Sequence, residues 1–228
     1  MVLWDFDGTL AWRPGLWSGC LLEILDEHEP GHGATIELIR AEVKGGFPWH
    51  HHSEPHTGLD DDGWWDGVAP LLERALASCG LAAGRARELA REVRPRFTDA
   101  SRGWQLFEDT RAALTMTAAD GWRNAVLSNH VPELETLAGA LGLAGLVEPV
   151  LSSGRIGYEK PHPEAFRHAL RACGEPGTIW MVGDNPVADV GGAEALGIPA
   201  ILIRTEDDDV SRRAADALTA ARMIVAAG

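Results

Sequence analysis

The sequence is poor in cysteine and in positive charge, and it has no long apolar run. Its three cysteines, Cys20, Cys79 and Cys173, are far apart and odd in number, which is typical of reduced thiols in a cytoplasmic protein. No apolar stretch approaches the roughly 18 residues of a membrane helix. Asp5 and Asp7 interrupt the first apolar residues, which argues against a signal peptide. We therefore expect a cytoplasmic protein that has no membrane partner.

The shortage of positive charge narrows the possible ligands. The 228 residues carry 20 lysines and arginines against 34 aspartates and glutamates, a formal net charge of −14. This balance argues against a nucleic-acid partner or an anionic membrane surface, because both are bound through concentrated Lys and Arg. An anionic substrate would need positive charge supplied locally. With 45% apolar and 24% charged residues, the chain is not wholly disordered, and its length allows one large domain or a core with an insert.

Short apolar runs alternate with amphipathic stretches in the second half of the chain. Such runs are typical of strands that are covered on both faces in a parallel sheet. The predicted strands are Val2–Trp4, Ala125–Leu127, Val147–Leu151, Ile179–Val182 and Ala200–Ile203. The predicted helices are Pro132–Leu141, Pro163–Cys173, Pro186–Leu196 and a terminal helix over Ser211–Ala226. This alternation predicts an α/β fold with a doubly wound, Rossmann-like parallel sheet.

Residues 13–100 break the alternation, because more than a hundred residues after the first strand carry no second strand signal. Amphipathic helices are predicted there over Trp17–Glu29, Thr35–Val43, Trp64–Ser78 and Arg85–Phe97. We therefore expect an α/β core formed by residues 1–12 and 101–228. Residues 13–100 would form a helical cap inserted after strand 1.

Four polar features lie next to predicted strands and helix starts. They are Asp5 with Asp7, Ser128 with Asn129, Lys160, and Asp184 with Asp189. Because the carboxyl ends of the strands in an open α/β sheet meet at one crevice, all four features should lie together. Two carboxylates as close as Asp5 and Asp7 do not both ionise easily unless a cation lies between them or one keeps its proton.

In order and spacing, these features resemble motifs I to IV of the haloacid dehalogenase-like (HAD) hydrolase superfamily. The matching segments are Asp5-Phe6-Asp7-Gly8-Thr9-Leu10, Leu127-Ser128-Asn129, Lys160-Pro161 and Gly183-Asp184-Asn185-Pro186-Val187-Ala188-Asp189. The resemblance covers residues 1–12 and about 101–205. In position and type, the insert is similar to the helical C1 cap of the phosphoglycolate-phosphatase-like branch.

The resemblance implies a role for each matched residue. Asp5 would be the nucleophile and form an aspartyl-phosphate, while Asp7 would protonate the leaving oxygen and then activate water. Ser128 would bind the phosphoryl group, with Asn129 in a supporting position. Lys160 would neutralise charge on the nucleophile and on the phosphoryl oxygens.

The resemblance also implies a magnesium ion. Its ligands would be the Asp5 carboxylate, the Asp7 main-chain carbonyl and Asp184, with Asp189 at the edge of this set or behind it. Oxygen ligands with open positions for water and phosphate suit Mg²⁺. The true haloacid dehalogenases lack the second acid, Asp7, and need no metal, so its presence here favours phosphate transfer to water.

The expected function is a Mg²⁺-dependent phosphatase that acts on a small phosphorylated metabolite. A phosphomutase or a 2-haloacid dehalogenase on the same core is an alternative reaction, and a non-catalytic regulator is an alternative of another class. The protein would be a monomer or a homodimer.

Three segments that contain histidine are further candidates for substrate or metal binding. Trp49 and His50 belong to a segment, Lys44–His50, that lies where C1 caps carry a substrate-facing loop, so both are candidate specificity residues. His130 follows motif II and either faces the substrate or is a capping or surface histidine. The consecutive histidines His50–His52 point in different directions on any regular element and so form a poor metal site.

Overall fold

Eight strands form two sheets in the computed structural model, which describes residues 1–227. In chain order the strands are β1 (Val2–Trp4), β2 (Ala11–Trp12), β3 (Gln105–Leu106), β4 (Asn124–Ser128), β5 (Val150–Ser152), β6 (Trp180–Gly183), β7 (Ala200–Ile203) and β8 (Arg213–Ala214). Six of them form a parallel sheet in the order β5-β4-β1-β6-β7-β8, and β2 pairs with β3 in antiparallel fashion. The predicted doubly wound parallel sheet is confirmed. Gly228, the last residue of the predicted core, lies outside the described residues.

Helices account for most of the remaining regular structure. In chain order they are α1 (Leu16–His28), α2 (Ile36–Val43), α3 (Asp61–Ser78), α4 (Ala83–Ala90), α5 (Val93–Phe97), α6 (Thr110–Ala119), α7 (Leu134–Ala140), α8 (Ser153–Ile156), α9 (Pro163–Ala172), α10 (Gly192–Glu194) and α11 (Ala217–Ala227). Pro48–His51 forms a 3-10 turn and Pro186–Gly191 a π-helical turn. None of the helices within residues 1–227 is both long enough and apolar enough to cross a bilayer.

Helices cover both faces of the sheet because its central strands are apolar on both faces. Every residue of β1, β4 and β7 is buried. Alternate residues of a strand point to opposite faces. Val2 and Trp4 accordingly join the apolar cluster that contains Leu114 of α6 and Ile224 of α11, whereas Leu3 joins a second cluster with Phe166 of α9.

The segment between β2 and β3 contains the five helices α1 to α5 and no strand among its described residues. The antiparallel pair β2–β3 brings the two ends of this segment side by side. Because β2 precedes the five helices and β3 follows them, we propose that residues 13–100 form the cap and that the flanking parts of the chain form the core.

Several predicted element boundaries were wrong. Strands β2, β3 and β8 were not predicted, because two residues are too few to carry a periodic signal. The terminal segment begins with β8, so its helix starts at Ala217 rather than Ser211. The helix predicted over Arg85–Phe97 consists of α4 and α5, and the one over Pro186–Leu196 consists of the π-helical turn and α10.

Candidate active site

The predicted site residues lie around one cavity at the carboxyl end of the parallel sheet. The cavity has a volume of about 260 Å³. All seven residues that the motifs single out line it: Asp5, Asp7, Ser128, Asn129, Lys160, Asp184 and Asp189. They come together because β1, β4 and β6 are parallel neighbours, so the segments that follow these strands leave the sheet at the same edge.

Lys160 is the centre of the charge network in this cavity. Its side chain is 2% exposed, and its Nζ donates to Asp5 Oδ1 at 2.7 Å, Asp189 Oδ1 at 2.6 Å and the Leu127 carbonyl at 2.7 Å. Burial alone would lower the pKa of Lys160, but the carboxylates of Asp189 and Asp5 outweigh it and raise that pKa. Lys160 is therefore a fixed positive charge beside the Asp5 carboxylate.

Asn129 fixes the backbone of Lys160. Its Nδ2 donates to the Lys160 carbonyl at 2.8 Å, and its Oδ1 accepts from the Lys160 N–H at 2.7 Å. Because both ends of the amide are bonded in this way, Asn129 holds the lysine loop against the end of β4. Through this pair of hydrogen bonds Asn129 supports Lys160, and a direct contact of Asn129 with substrate stays a prediction.

Asp7 and Asp184 are acids with raised pKa values. Burial, followed by the charges of Asp5 and Asp184, raises the pKa of Asp7 well above its ordinary value. Burial, followed by the charges of Asp5 and Asp189, raises the pKa of Asp184 to about 7. Gly8, at φ 82°, lets the backbone approach Asp184 closely, because a Cβ there would lie 2.4 Å from Asp184 Oδ2.

Asp189 is buried and bonded through both carboxylate oxygens. Oδ1 accepts from Lys160, and Oδ2 accepts from the backbone N–H of Asn185 at 2.9 Å. The Asp189 carboxylate packs directly against the backbone of Gly183 in β6, because a Cβ at Gly183 would lie 2.1 Å from Asp189 Oδ2. Asp189 therefore positions Lys160 and the turn after β6.

The donor set fits a small divalent cation. Carboxylate oxygens of Asp5, Asp184 and Asp189 lie within 4.8 Å of one another. Oxygen-only donor sets suit Mg²⁺. Burial and the neighbouring carboxylates raise the pKa values of Asp7 and Asp184, and a bound cation would offset both effects. Because Asp189 is already bonded through both oxygens, we expect Asp5 and Asp184 to supply the carboxylates for the metal.

The wall on the cap side is apolar, and sequence reasoning found only part of it. Its residues are Leu16, Trp17, Trp49 and Phe97 from the proposed cap, with His130 and Val131 from the loop after β4. Trp49 was predicted to face the substrate and lines the cavity. His50 is not among the lining residues; it is exposed, and its Nδ1 accepts from the Phe47 N–H within the 3-10 turn. Trp17 and Phe97 were missed, because apolar residues on amphipathic helices are expected to lie in the core.

His130 is a buried member of this wall. Its residue is 4% exposed, and neither ring nitrogen has a hydrogen-bond partner among the described residues. The rings of Phe6 and Trp104 both lie 5.5 Å from it, centroid to centroid. Burial in this apolar setting lowers the pKa of His130 to about 4, so the imidazole is neutral at neutral pH. His130 lines the cavity, and its contact with substrate stays a prediction.

The chain resembles known hydrolases over most of its length. It is 39% identical over 170 residues to a phosphoserine phosphatase of Thermus thermophilus, covering 72% of this chain and 66% of that protein. It is 33% identical over 150 residues to a phosphoglycolate phosphatase of Rhodospirillum rubrum, covering 60% of this chain and 61% of that one. The chain thus spans just under two thirds of the length of these two curated relatives.

A solved structure has the same fold. The crystal structure of a HAD-hydrolase from Bacillus subtilis bound to magnesium superposes with a TM-score of 0.72 at 14% identity. The superposition covers 99% of this chain and 97% of that one.

The family description that matches the sequence spans residues 1–197, and therefore includes the four motifs and the whole helical segment. This chain belongs to the haloacid dehalogenase-like hydrolases.

Proposed function

We propose that this hydrolase is a Mg²⁺-dependent phosphatase acting on a small phosphorylated metabolite. The observation that carries the proposal is the pairing of two unlike acids. Asp5 is bonded to Lys160 and is suited to act as a nucleophile, whereas the neighbouring Asp7 has a raised pKa and is suited to hold a proton. A nucleophilic step needs an ionised carboxylate, whereas an acid–base step needs a carboxyl group that can hold a proton. Two neighbouring carboxyl groups in different environments can meet both requirements.

In the proposed first step, Asp5 attacks the phosphorus of the substrate. Lys160 donates to Asp5 Oδ1 at 2.7 Å and so orients the carboxylate for the attack. The same ammonium group disperses the negative charge that builds up on the phosphoryl oxygens. The Ser128 hydroxyl, at the end of β4, binds one of those oxygens. The bond from phosphorus to the ester oxygen breaks, and an aspartyl-phosphate is left on Asp5.

Asp7 moves the protons in both half-reactions. In its protonated form, which its raised pKa favours, it donates to the ester oxygen as the alcohol leaves. As a carboxylate it then takes a proton from the water that attacks the aspartyl-phosphate, and inorganic phosphate is released. When bound by Asp5, Asp184 and the Asp7 carbonyl, Mg²⁺ would supply charge neutralisation for the phosphoryl group.

The size of the cavity supports a small substrate. Its volume of about 260 Å³ is below the roughly 300–1,000 Å³ of drug-sized ligand sites. The phosphatases named among the relatives act on small phosphate esters according to their names.

Phosphate release tests the proposal. Purified protein is incubated with a panel of phosphate monoesters, with Mg²⁺ or with EDTA, and inorganic phosphate is measured. We expect release that depends on Mg²⁺ and is lost in Asp5→Asn, while circular dichroism shows that this variant is folded. Full activity of Asp5→Asn would refute a covalent intermediate on that residue.

The same experiment separates the alternative functions. Transfer of phosphate to a second position of the substrate, without net release, would identify a phosphomutase. Halide release from a 2-haloacid would identify a dehalogenase. A folded protein that turns over no ester of the panel would support a non-catalytic regulator.

A further inference from the structure

The apolar wall of the active-site cavity carries information about the substrate. The phosphoryl group belongs beside Lys160 and the aspartates, so the rest of the substrate must lie against the opposite, cap-side wall. Apart from the seven motif residues, the lining consists of Leu16, Trp17, Trp49, Phe97, His130, Val131, Asn185 and Ala188, and none of these side chains carries a formal charge. The leaving alcohol therefore meets hydrocarbon and aromatic surface.

The aromatic part of this wall consists of closely packed rings. Trp17 stacks on Phe97 with ring centroids 4.0 Å apart and an interplanar angle of 13°. On its other flank, Phe47 lies 4.5 Å from Trp17 and stacks on Trp49 at 4.6 Å. Phe47 and Phe97 are 1% and 2% exposed and anchor the stack in the cap. Close-packed rings of this kind leave little room for rearrangement, so they present an apolar surface to the substrate.

Among residues 1–227, the cavity lining offers no free cation that could reach an anionic leaving group. Lys160 is the one lysine or arginine among the residues that line it, and its Nζ is already bonded to Asp5 and Asp189. The other ionisable lining groups include four carboxyl groups, so a substrate carboxylate would also meet like charge. An unpaired charge against an apolar surface is strongly unfavourable.

Two arginines of the helical segment are engaged outside the cavity. Arg13 donates to Glu23 at 2.6 Å, and Arg94 donates to Glu133 at 2.7 Å. Neither lines the cavity. His130 does line it, but its burial among aromatic rings keeps the imidazole neutral at neutral pH. It offers a hydrogen bond to a hydroxyl or carbonyl group of the substrate and no positive charge.

We propose that the substrate is a phosphate monoester of an uncharged alcohol with an apolar or aromatic face, and that esters with a carboxylate on the leaving group are poor substrates. The inference rests on the phosphatase activity proposed above. The proposed substrate differs from those in the names of two relatives, because phosphoserine and phosphoglycolate both carry a carboxylate.

Two matched pairs of esters test the inference in the wild-type protein with Mg²⁺. Phenyl phosphate is compared with 4-carboxyphenyl phosphate, and ethyl phosphate with phosphoglycolate, so that each pair differs by a carboxylate. We expect kcat/KM to be at least about tenfold higher for the neutral member of each pair, or about 1.4 kcal/mol. Equal or higher kcat/KM for the carboxylated members would overturn the inference and leave the phosphatase proposal standing. Absence of phosphate release from all four esters and from the wider panel would refute the phosphatase proposal, and this inference with it.

A pair of variants at Trp49 checks that the wall is the cause. Trp49→Arg places a cation on it, and Trp49→Met is the matched control, which removes the same ring without adding charge. We expect the ratio of kcat/KM for 4-carboxyphenyl phosphate to that for phenyl phosphate to be about tenfold higher in W49R than in W49M. The same ratio in two folded variants would show that charge at this wall does not select the substrate.

Discussion

Replacing His130 with phenylalanine should change how the stability of the protein depends on pH. The phenyl ring suits the site, since the imidazole lies among the rings of Phe6, Phe97 and Trp104 and makes no side-chain hydrogen bond. The pKa of His130 is about 4 in the folded protein and 6.5 in the reference state. Above pH 6.5 the imidazole is neutral in both states, so it adds no dependence on pH there.

Below pH 6.5 the unfolded chain takes up a proton that the folded protein does not. Stability contributed by the neutral imidazole is therefore complete above pH 6.5 and is lost as the pH falls towards 4. Between pH 7 and pH 4 this loss amounts to about 3 kcal/mol, at about 1.4 kcal/mol per pH unit and with the folded protein half protonated at pH 4. His130→Phe removes this loss, so the stability of the variant relative to wild type should rise by that amount between pH 7 and pH 4.

Urea unfolding at several pH values between 4 and 7, in EDTA, measures the difference. The nine tryptophans supply the fluorescence signal, and linear extrapolation gives the free energy of unfolding in water. His52→Phe, at an exposed position, is the matched control for loss of a histidine. A difference between His130→Phe and wild type that stays constant within about 0.5 kcal/mol from pH 7 to pH 4 would refute a buried neutral imidazole.

Three further predictions concern the charge network and its supports. Lys160→Met leaves two buried carboxylates without their cation and should lower the free energy of unfolding by about 3–5 kcal/mol. Adding Asp189→Asn should restore part of this loss. Urea unfolding measures both variants, and an unchanged midpoint in Lys160→Met would contradict the prediction. Gly183→Ala places a Cβ 2.1 Å from Asp189 Oδ2, so stability should fall by about 1–3 kcal/mol and kcat/KM by tenfold or more, whereas an active variant would show that Asp189 can move freely. His56→Ala removes the imidazole that bonds Glu159 Oε1 at 2.9 Å and should lower the free energy of unfolding by about 3 kcal/mol, because Glu159 is 1% exposed. Adding Glu159→Gln to this variant should restore part of the lost stability. Thermal unfolding measures both variants.

The strand ends could be predicted from the sequence because the signal is local. Asp5 follows three apolar residues, and Asp184 follows the apolar strand β6. The rule that parallel strands share a carboxyl edge then brings both residues to one crevice without further information. The roles of the matched residues came from the resemblance to a family, and they stay predictions until the variants are measured.

The cap-side wall could not be predicted in the same way, because its geometry depends on distant packing. Trp17 and Phe97 are 80 positions apart, and each has the pattern of a core residue on its own helix. Only the stacking of their rings in the folded chain brings their edges to the cavity. Trp49 and His50 are consecutive, and a 3-10 turn directs the first to the cavity and the second to solvent, which no periodic pattern in so short a segment could indicate.

The central position of β1 has a consequence for how the protein folds. Val2 pairs with Asn124 on one side and with Trp180 on the other, so both neighbours of this strand are more than a hundred residues away in sequence. Pairings of such high contact order form slowly, since the cost of closing long loops precedes the gain from the contacts. The helices α1 to α5, by contrast, meet mainly near neighbours in sequence. We expect the helical segment to acquire structure before Asp5 meets Lys160, so recovery of activity should lag behind recovery of helix signal during refolding.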